Sequence, residues 1–205
     1  VKFMIEQGLY GAENLSLIPG DAGASAVQNI GAYGVEVKDL IGTVEAVNVA
    51  TGELCHIDNA DCNYGYRYSR FKDEWKGKYL ITSVTYNMSA EFVPHIEYGN
   101  ISSEMERRGI VNPSAADLRK VIIDIRRQKL PDPEETGNAG SFFMNPVVST
   151  GKYEELAAQY ADMPHYKVEE GKEKIPAGWL IDKCGWKGRT LGRAGVHDRQ
   201  AHRLC

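Results

Sequence analysis

The stretch from Glu13 to Gly34 constrains this chain more than any other part of it. It reads ENLSLIPGDAGASAVQNIGAYG, contains four glycines, and carries charge only at Glu13 and Asp21. Glycines at this density let the backbone approach a ligand at distances that a Cβ atom would prevent. The stretch lacks both the Lys-Ser or Lys-Thr of a P-loop and the Gly-x-Gly-x-x-Gly spacing of a dinucleotide-binding turn. It is typical either of a loop that holds a flat or diphosphate-bearing cofactor or of a tight turn between two strands.

Composition excludes several classes of protein. The 205 residues allow one large or two ordinary domains, and 42% hydrophobic with 25% charged residues is typical of a globular protein. The net charge of -4 argues against nucleic-acid binding, and no apolar run reaches the roughly 18 residues of a membrane span. We see no signal peptide, and the cysteines form no C-x-x-C pair, which predicts reduced thiols and a cytoplasmic location. The four cysteines are Cys55, Cys62, Cys184 and Cys205.

Periodicity predicts a β-rich first half. Residues 1–10 read as a helical remnant. Alternation over 43–49 and a Thr51-Gly52 turn before 53–57 predict a hairpin, and 79–88 is β-branched and aromatic, as in a strand. We expect this antiparallel domain to close near Ser89, and residues 89–113 to be less regular and polar.

The second half shows helical patterns. Ser114, with Asp117 three residues later, predicts an N-cap, and an apolar stripe follows at helical spacing until the helix ends before Pro131. Further helices are expected over 152–160, with Tyr153, Leu156, Ala157 and Tyr160 inward, and over 177–184. The stripe consists of Leu118, Val121, Ile122 and Ile125. The chain is therefore expected to divide into residues 1–110 and 111–205.

Two side chains could carry chemistry. Arg67 lies among tyrosines in YGYRYSRFK, where a guanidinium could bind an anionic group or simply form a surface ion pair. Ser141 lies in GNAGSFFMNP; a serine after glycine is commonly a turn residue, and the absence of Gly-x-Ser-x-Gly argues against an acyl-transfer nucleophile. The cations between Lys183 and Arg203 could equally form a solvated face. No His/Cys/Asp cluster has metal-ligand spacing, so we predict no metal.

Seven segments, in order along the chain, resemble UDP-N-acetylenolpyruvoylglucosamine reductase (UDP-N-acetylmuramate dehydrogenase), in its larger type with a tyrosine loop. They are ENLSLIPG (13–20), QNIGAYG (28–34), GYRYSRFK (65–72), KLPDP (129–133), GNAGSFFMNP (137–146), AGWLID (177–182) and GRAGVHDRQA (192–201). The resemblance implies an α+β fold: a partial FAD-binding (PCMH/VAO-like) domain over 1–110, then a smaller α+β substrate-binding domain over 111–205.

The activity that the resemblance implies is reduction of UDP-N-acetylglucosamine enolpyruvate to UDP-N-acetylmuramate in peptidoglycan precursor biosynthesis. FAD and NADPH would be its cofactors, and a monomer its state. Arg67 would stabilise the substrate carboxylate as it gains enolate character, and Ser141 would protonate C2. Alternatives are a truncated non-catalytic fragment that binds a UDP-sugar or FAD, and a flavin oxidase of the wider family.

The resemblance also implies binding residues. Those for the cofactor are Ile18, Pro19, Gly20, Gly23, Ala24, Ser25, Gln28, Asn29 and Gly31. Those for the substrate are Ala32, Tyr33, Tyr66, Tyr98, Lys129, Asn145, Tyr166, Lys187 and Gln200, with Tyr98, Lys129, Asn145 and Lys187 toward the diphosphate and Ala32, Tyr33, Tyr166 and Gln200 toward the uridine. No residue matches the family's second catalytic group, a glutamate near the C-terminus, or its N-terminal glycine-rich turn. We therefore expect these 205 residues alone to be inactive.

Overall fold

The computed structural model describes residues 1–199 and 201. The chain divides into two compact units, unit 1 over residues 1–126 and unit 2 over 127–205. This division falls inside a helix and not at residue 110, where the change in sequence pattern placed it. The assignment of the two parts to cofactor and substrate binding stays a prediction.

Unit 1 contains a three-stranded antiparallel sheet and two groups of helices. Its elements are α1 (Lys2–Glu6), α2 (Ala22–Gln28), β1 (Gly31–Ala32), β2 (Val35–Glu36), β3 (Ile41–Asn48), β4 (Leu54–Asp58), β5 (Tyr79–Tyr86), α3 (Ile101–Arg107) and α4 (Ala115–Lys129), whose end belongs to unit 2. Short 3₁₀ turns lie at Glu13–Leu15, Val37–Asp39, Asn59–Cys62 and Arg70–Lys72. The predicted strands and the turn at Gly52, where φ is +75°, are confirmed.

The sheet has the order β4-β3-β5 and packs with α2 into the first of the two groups. The central strand, β3, supplies buried residues to its core. Val44 and Ala46 on β3 are fully buried. Helix α2 packs on β5, where a Cβ at Gly23 would lie 3.4 Å from Ile81 Cγ2. The glycine-rich stretch is therefore not a simple turn between strands. Its run of alanines forms a helix that the glycine content concealed.

The second group consists of α3 and α4. Ser114 caps α4 through a hydrogen bond from Asp117 N–H to its Oγ (3.2 Å), and its own N–H donates to Asp117 Oδ2 (3.0 Å). The predicted helix and cap are thus confirmed, and the predicted stripe is buried. Residues 89–113, predicted to be less regular, contain one helix that was not predicted: α3 buries Ile101 and Met105 against α4. Two apolar residues one turn apart are too short a pattern to reveal a helix from sequence.

Unit 2 is a second antiparallel sheet with small helices. Its elements are β6 (Val147–Ser149), α5 (Thr150–Ala157), β7 (Tyr166–Glu169), β8 (Lys172–Lys174), α6 (Ala177–Lys183), β9 (Thr190–Leu191) and β10 (Ala194–Gly195). The three longer strands have the order β6-β8-β7. Both predicted helices are present, and the predicted inward residues Tyr153, Leu156 and Ala157 are half-buried on α5. Only Tyr160 was wrong, because it lies beyond the end of the helix and is 45% exposed.

Candidate functional site

The end of α2 is held by one buried amide. Asn29 is 2% exposed and adopts a left-handed conformation with φ +42°. Its Nδ2 donates to Glu36 Oε2 (3.0 Å) and to Gly65 O (2.7 Å), while its Oδ1 accepts from Lys38 N–H (3.1 Å). The side chain predicted to bind a cofactor is therefore fully engaged with the protein. It fixes the turn that begins at Gly65 against α2.

Arg67 lies in that turn, in which Gly65 and Tyr68 exchange two backbone hydrogen bonds of 3.1 and 3.0 Å. Its φ is +52°, a conformation that non-glycine residues rarely adopt and that is concentrated at functional sites. Lys72 Nζ donates to Arg67 O (3.0 Å) and to Gln28 Oε1 (3.2 Å). The guanidinium carbon lies 5.9 Å from the centroid of the Tyr66 ring. Four of the predicted residues, Arg67, Tyr66, Gln28 and Asn29, are thus close together.

The predicted cofactor residues fall into an anchored group and an exposed group. Ser25 is anchored: its Oγ donates to Ala22 O (2.5 Å) and lies 2.7 Å from the Tyr86 hydroxyl. Gly20 is exposed, and its φ of +120° requires glycine. The exposed group carries short side chains apart from Gln28 and consists of Pro19, Gly20, Ala24, Gln28 and Gly31. Ile18 and Gly23 are half-buried and belong to neither group.

A cavity of about 240 Å³ brings together Tyr33 and Tyr98, two of the predicted substrate residues. Gly34, at φ +82°, faces Tyr98 so closely that a Cβ there would lie 3.4 Å from Tyr98 Cβ. Burial raises the pKa of Tyr33, and the positive charge of Arg126 partly offsets that rise. Tyr33 directly follows Ala32, which ends β1. His95 and Glu97 complete the cavity lining.

In unit 2 the loop over 137–146 carries Ser141 and Asn145. Asn145 Oδ1 accepts the Ala177 N–H (2.9 Å), which fixes the end of the loop at the start of α6. Ser141 is half-buried and precedes Phe142 and Phe143, whose rings meet edge to face at 5.1 Å. Asn145 therefore acts on the loop in addition to any contact with a ligand.

The other predicted residues of unit 2 are solvent-exposed. Lys129 ends α4, Tyr166 on β7 is 58% exposed, and Lys187 Nζ lies 3.8 Å from Asp182 Oδ2. Gln200 lies outside the described residues. A cavity of about 360 Å³ beside the β9–β10 hairpin is lined by Arg193 and His197, among others.

Sequence reasoning missed two structural supports. Asn14, 1% exposed, donates through Nδ2 to Tyr33 O (2.8 Å) and His95 O (3.0 Å). His165 Nδ1 lies 2.9 Å from the buried Glu173 Oε2, and its ring stacks on Tyr153. Asn14 bonds residues that are 19 and 81 positions away, and His165 lies in a stretch rich in charged residues, so the sequence alone distinguished neither.

Residues 1–199 and 201 contain no group of three or more His, Cys, Asp or Glu side chains placed to hold a metal ion. Over the same residues, no helix has the length and apolarity needed to cross a membrane. Cys55, Cys62 and Cys184 are free thiols.

Known proteins resemble the chain over almost all of its length. Residues 132–205 match the C-terminal domain of UDP-N-acetylenolpyruvoylglucosamine reductase. Proteins of that name from Burkholderia ambifaria (strain MC40-6) and Bacteroides fragilis (strain YCH46) are 48% and 50% identical over 204 and 201 residues, which is 98% of this chain in each case. The resemblance predicted from the seven segments is confirmed. The chain spans 58% and 60% of the length of these two relatives.

A solved structure supports the fold. The UDP-N-acetylenolpyruvylglucosamine reductase from Thermus caldophilus aligns with a TM-score of 0.61 at 22% identity, over 99% of this chain and 56% of that one. At this identity the alignment establishes the α+β fold alone.

Proposed function

We propose that this chain, a relative of the UDP-N-acetylenolpyruvoylglucosamine reductases, is the part of such an enzyme that holds the flavin and most of the nucleotide-sugar site. The reaction is reduction of UDP-N-acetylglucosamine enolpyruvate to UDP-N-acetylmuramate with NADPH, a cytoplasmic step toward peptidoglycan. The observation that carries the proposal is 48–50% identity over 98% of the chain. Unit 1 would hold the cofactor and unit 2 most of the substrate site.

The exposed group around Gly20 fits a flavin with its diphosphate. Backbone that carries short side chains can approach a phosphate or a flat ring closely, and Gly20 adopts a conformation that side chains oppose. Ser25 and Asn29 stay buried and hold this surface in place. When bound, the flavin would supply the hydride chemistry, which no side chain of this chain can perform.

Arg67 would bind the substrate carboxylate. A guanidinium can donate two parallel hydrogen bonds to a carboxylate, and its charge stabilises the enolate that develops beside it. Arg67 is held from behind by Lys72, which binds its carbonyl at 3.0 Å. This bond and the Gly65–Tyr68 backbone pair hold Arg67 in its left-handed conformation, which limits the directions in which its side chain can point.

Ser141 would give its hydroxyl proton to C2 of the enolpyruvyl group, where a carbanion-like centre develops. A serine hydroxyl is a weak acid in water, so it can protonate only a strongly basic carbon held beside it. Its place in the 137–146 loop, whose end is fixed by Asn145, favours a positioned donor over a mobile one.

The remaining residues would bind the nucleotide. The diphosphate would be bound by Lys129, Lys187, Asn145 and the Tyr98 phenol. The uridine would lie near Ala32, Tyr33, Tyr166 and Gln200. The exposure of Lys129, Tyr166 and Lys187 leaves them accessible to a ligand. We further propose that the 205 residues act as a monomer and, without a matching glutamate, bind ligands but do not turn over.

The visible absorbance spectrum of the purified chain tests the proposal. We compare the chain as given with the same chain joined to the flanking segments that its relatives possess. We expect both forms to retain FAD and to be reduced by NADPH, and the longer form alone to be reoxidised by the enolpyruvyl sugar. Retention of flavin by neither form would contradict the proposal, and rapid oxygen consumption with a hydroxy acid would favour an oxidase.

A further inference from the structure

We propose that Asn14 is a positioning residue for the segment over 95–99, here called the Tyr98 segment, and so for the tyrosine of the substrate cavity. The proposal rests on the proposed function in one respect: the cavity is taken to receive the nucleotide sugar. Asn14 itself lies in the glycine-rich stretch and touches neither ligand in this assignment.

The first observation is the use of both hydrogens of one amide. Asn14 Nδ2 donates to Tyr33 O at 2.8 Å and to His95 O at 3.0 Å. A neutral primary amide has two N–H groups on one nitrogen and can therefore join two carbonyls. The side chain is 1% exposed, so water cannot replace either bond at low cost.

The second observation is the unusual backbone conformation at Tyr33, whose carbonyl accepts one of these two bonds. Tyr33 adopts φ +50° and Gly34 adopts φ +82°, two successive left-handed residues. Such a conformation is unfavourable for tyrosine and persists where surrounding contacts hold it. The bond to Tyr33 O is one of those contacts, and it fixes the direction in which Gly34 faces.

The third observation is the fit between Gly34 and the Tyr98 segment. A Cβ at Gly34 would lie 3.4 Å from Tyr98 Cβ and 3.6 Å from its Cδ2, and a Cβ at Gly99 would lie 3.8 Å from the Tyr33 ring. Tyr33 and Tyr98 therefore pack against each other's glycine. Asn14 is bonded to both sides of this contact, on Tyr33 and on His95.

The consequence is that one buried amide sets where Tyr98 stands. Replacement by aspartate would keep the shape but remove both donors and direct a carboxylate at two carbonyl oxygens. We expect Tyr98 to leave Gly34 and the affinity for the sugar substrate to fall, while flavin affinity stays unchanged. A serine at position 14 introduces no charge, and its shorter hydroxyl can reach at most one of the two carbonyls, so it should have a smaller effect in the same direction.

The experiment is fluorine NMR on the 205-residue chain labelled with 3-fluorotyrosine, with the Tyr98 resonance assigned from Tyr98→Phe. Asn59→Asp is the matched control, since Asn59 Nδ2 also donates to two carbonyls, Lys38 O and Ile41 O, at 2.7 Å each. We expect Asn14→Asp, or Asn14→Ser if the aspartate variant does not fold, to move the Tyr98 resonance toward its unfolded position. Asn59→Asp should leave it in place.

Titration gives the second readout. We expect Asn14→Ser to raise the Kd for UDP-N-acetylglucosamine enolpyruvate about tenfold, as for loss of one good hydrogen bond, with the FAD Kd unchanged. An unmoved Tyr98 resonance in Asn14→Ser, or an equal shift in Asn59→Asp, would overturn the proposal. A wild-type chain that binds neither FAD nor sugar would contradict the proposed function instead, and the NMR result would still decide the role of Asn14.

Discussion

Unit 1 and unit 2 hold their predicted site residues by different means. In unit 1, buried amides bind backbone carbonyls from separate loops: Asn14 and Asn29 are 1% and 2% exposed and join residues far apart in sequence. In unit 2, Tyr166 is 58% exposed, and Lys187 meets Asp182 only at 3.8 Å. The predicted site geometry of unit 1 therefore depends on the same buried hydrogen bonds as its stability. In unit 2, apart from Asn145, which fixes its loop, we expect that a predicted site residue can be changed with little effect on folding.

The largest expected effect comes from Ser141→Ala in unit 2. If Ser141 donates the proton, its removal should slow reoxidation of the reduced flavin by the sugar substrate by about 10²–10⁴-fold. Reduction by NADPH and the thermal midpoint should be unchanged. Stopped-flow absorbance of the chain joined to its relatives' flanking segments separates the two half-reactions. Normal reoxidation would show that the assignment is wrong. A lower Tm would show that a predicted site residue of unit 2 also contributes to stability.

Leu118→Ala should have the next largest effect, on stability. Leu118 on α4 is fully buried in the apolar cluster that α4 forms with α3. Truncating such a leucine lowers the free energy of unfolding by about 2–5 kcal/mol. Urea unfolding followed by circular dichroism measures the loss. Leu156→Ala on the half-buried face of α5 is the comparison in unit 2, and we expect a smaller cost there. Equal costs would mean that the units are equally well packed.

Tyr98→Phe tests a smaller effect in unit 1. The ring that packs on Gly34 is kept and only the hydroxyl is lost, so stability should not change. Loss of one hydrogen bond to a ligand is worth about 0.5–1.5 kcal/mol, which predicts weaker substrate binding and little change in the chemical step. Isothermal titration with the enolpyruvyl sugar measures it. Unchanged affinity would count against a role for the phenol in binding.

The smallest effect concerns pH and Glu104. Hydrogen bonds from Arg107 and Arg108 lower the pKa of Glu104 to about 2. Because the folded pKa is depressed, the stabilisation is present above the usual glutamate value of about 4.3 and is lost as the pH falls toward 2. Glu104→Gln should therefore lower Tm at pH 6 and have little effect at pH 2. Glu155→Gln removes an exposed pair with Lys152 in unit 2 and should change Tm less at either pH.

The sequence predicted the elements whose pattern is local and strong. β3 alternates, β4 follows a clear turn signal, β5 is β-branched and aromatic, and α4 has a cap and a long apolar stripe, so each was found. The β6-β8-β7 sheet was missed because its strands have only three or four residues and because β7 and β8 carry lysine and glutamate; all four residues of β7 are exposed. Such strands form through pairing with their neighbours and show no apolar alternation of their own.

The site was predictable only in its residue types. Arg67 and Ser141 were predicted through resemblance, since an arginine among tyrosines or a serine after glycine is ambiguous by itself. Asn14 could not be given a role, because its partner His95 is 81 residues away. A hydrogen bond of that separation leaves no pattern in a single sequence. The left-handed conformation of Tyr33 was hidden for the same reason.

The packing of α2 on β5 also has a consequence for synthesis. The hairpin of β3 and β4 can form as soon as it leaves the ribosome, because its contacts are local. Helix α2 is made earlier, yet Ser25 and Gly23 meet Tyr86 and Ile81 only when β5 emerges. At 5–20 residues per second, synthesis of the segment from the end of α2 to the end of β5 takes roughly 3–12 s. During that interval the glycine-rich stretch lacks its supporting strand β5. If this stretch binds flavin as proposed, a nascent chain paused there should not yet bind it.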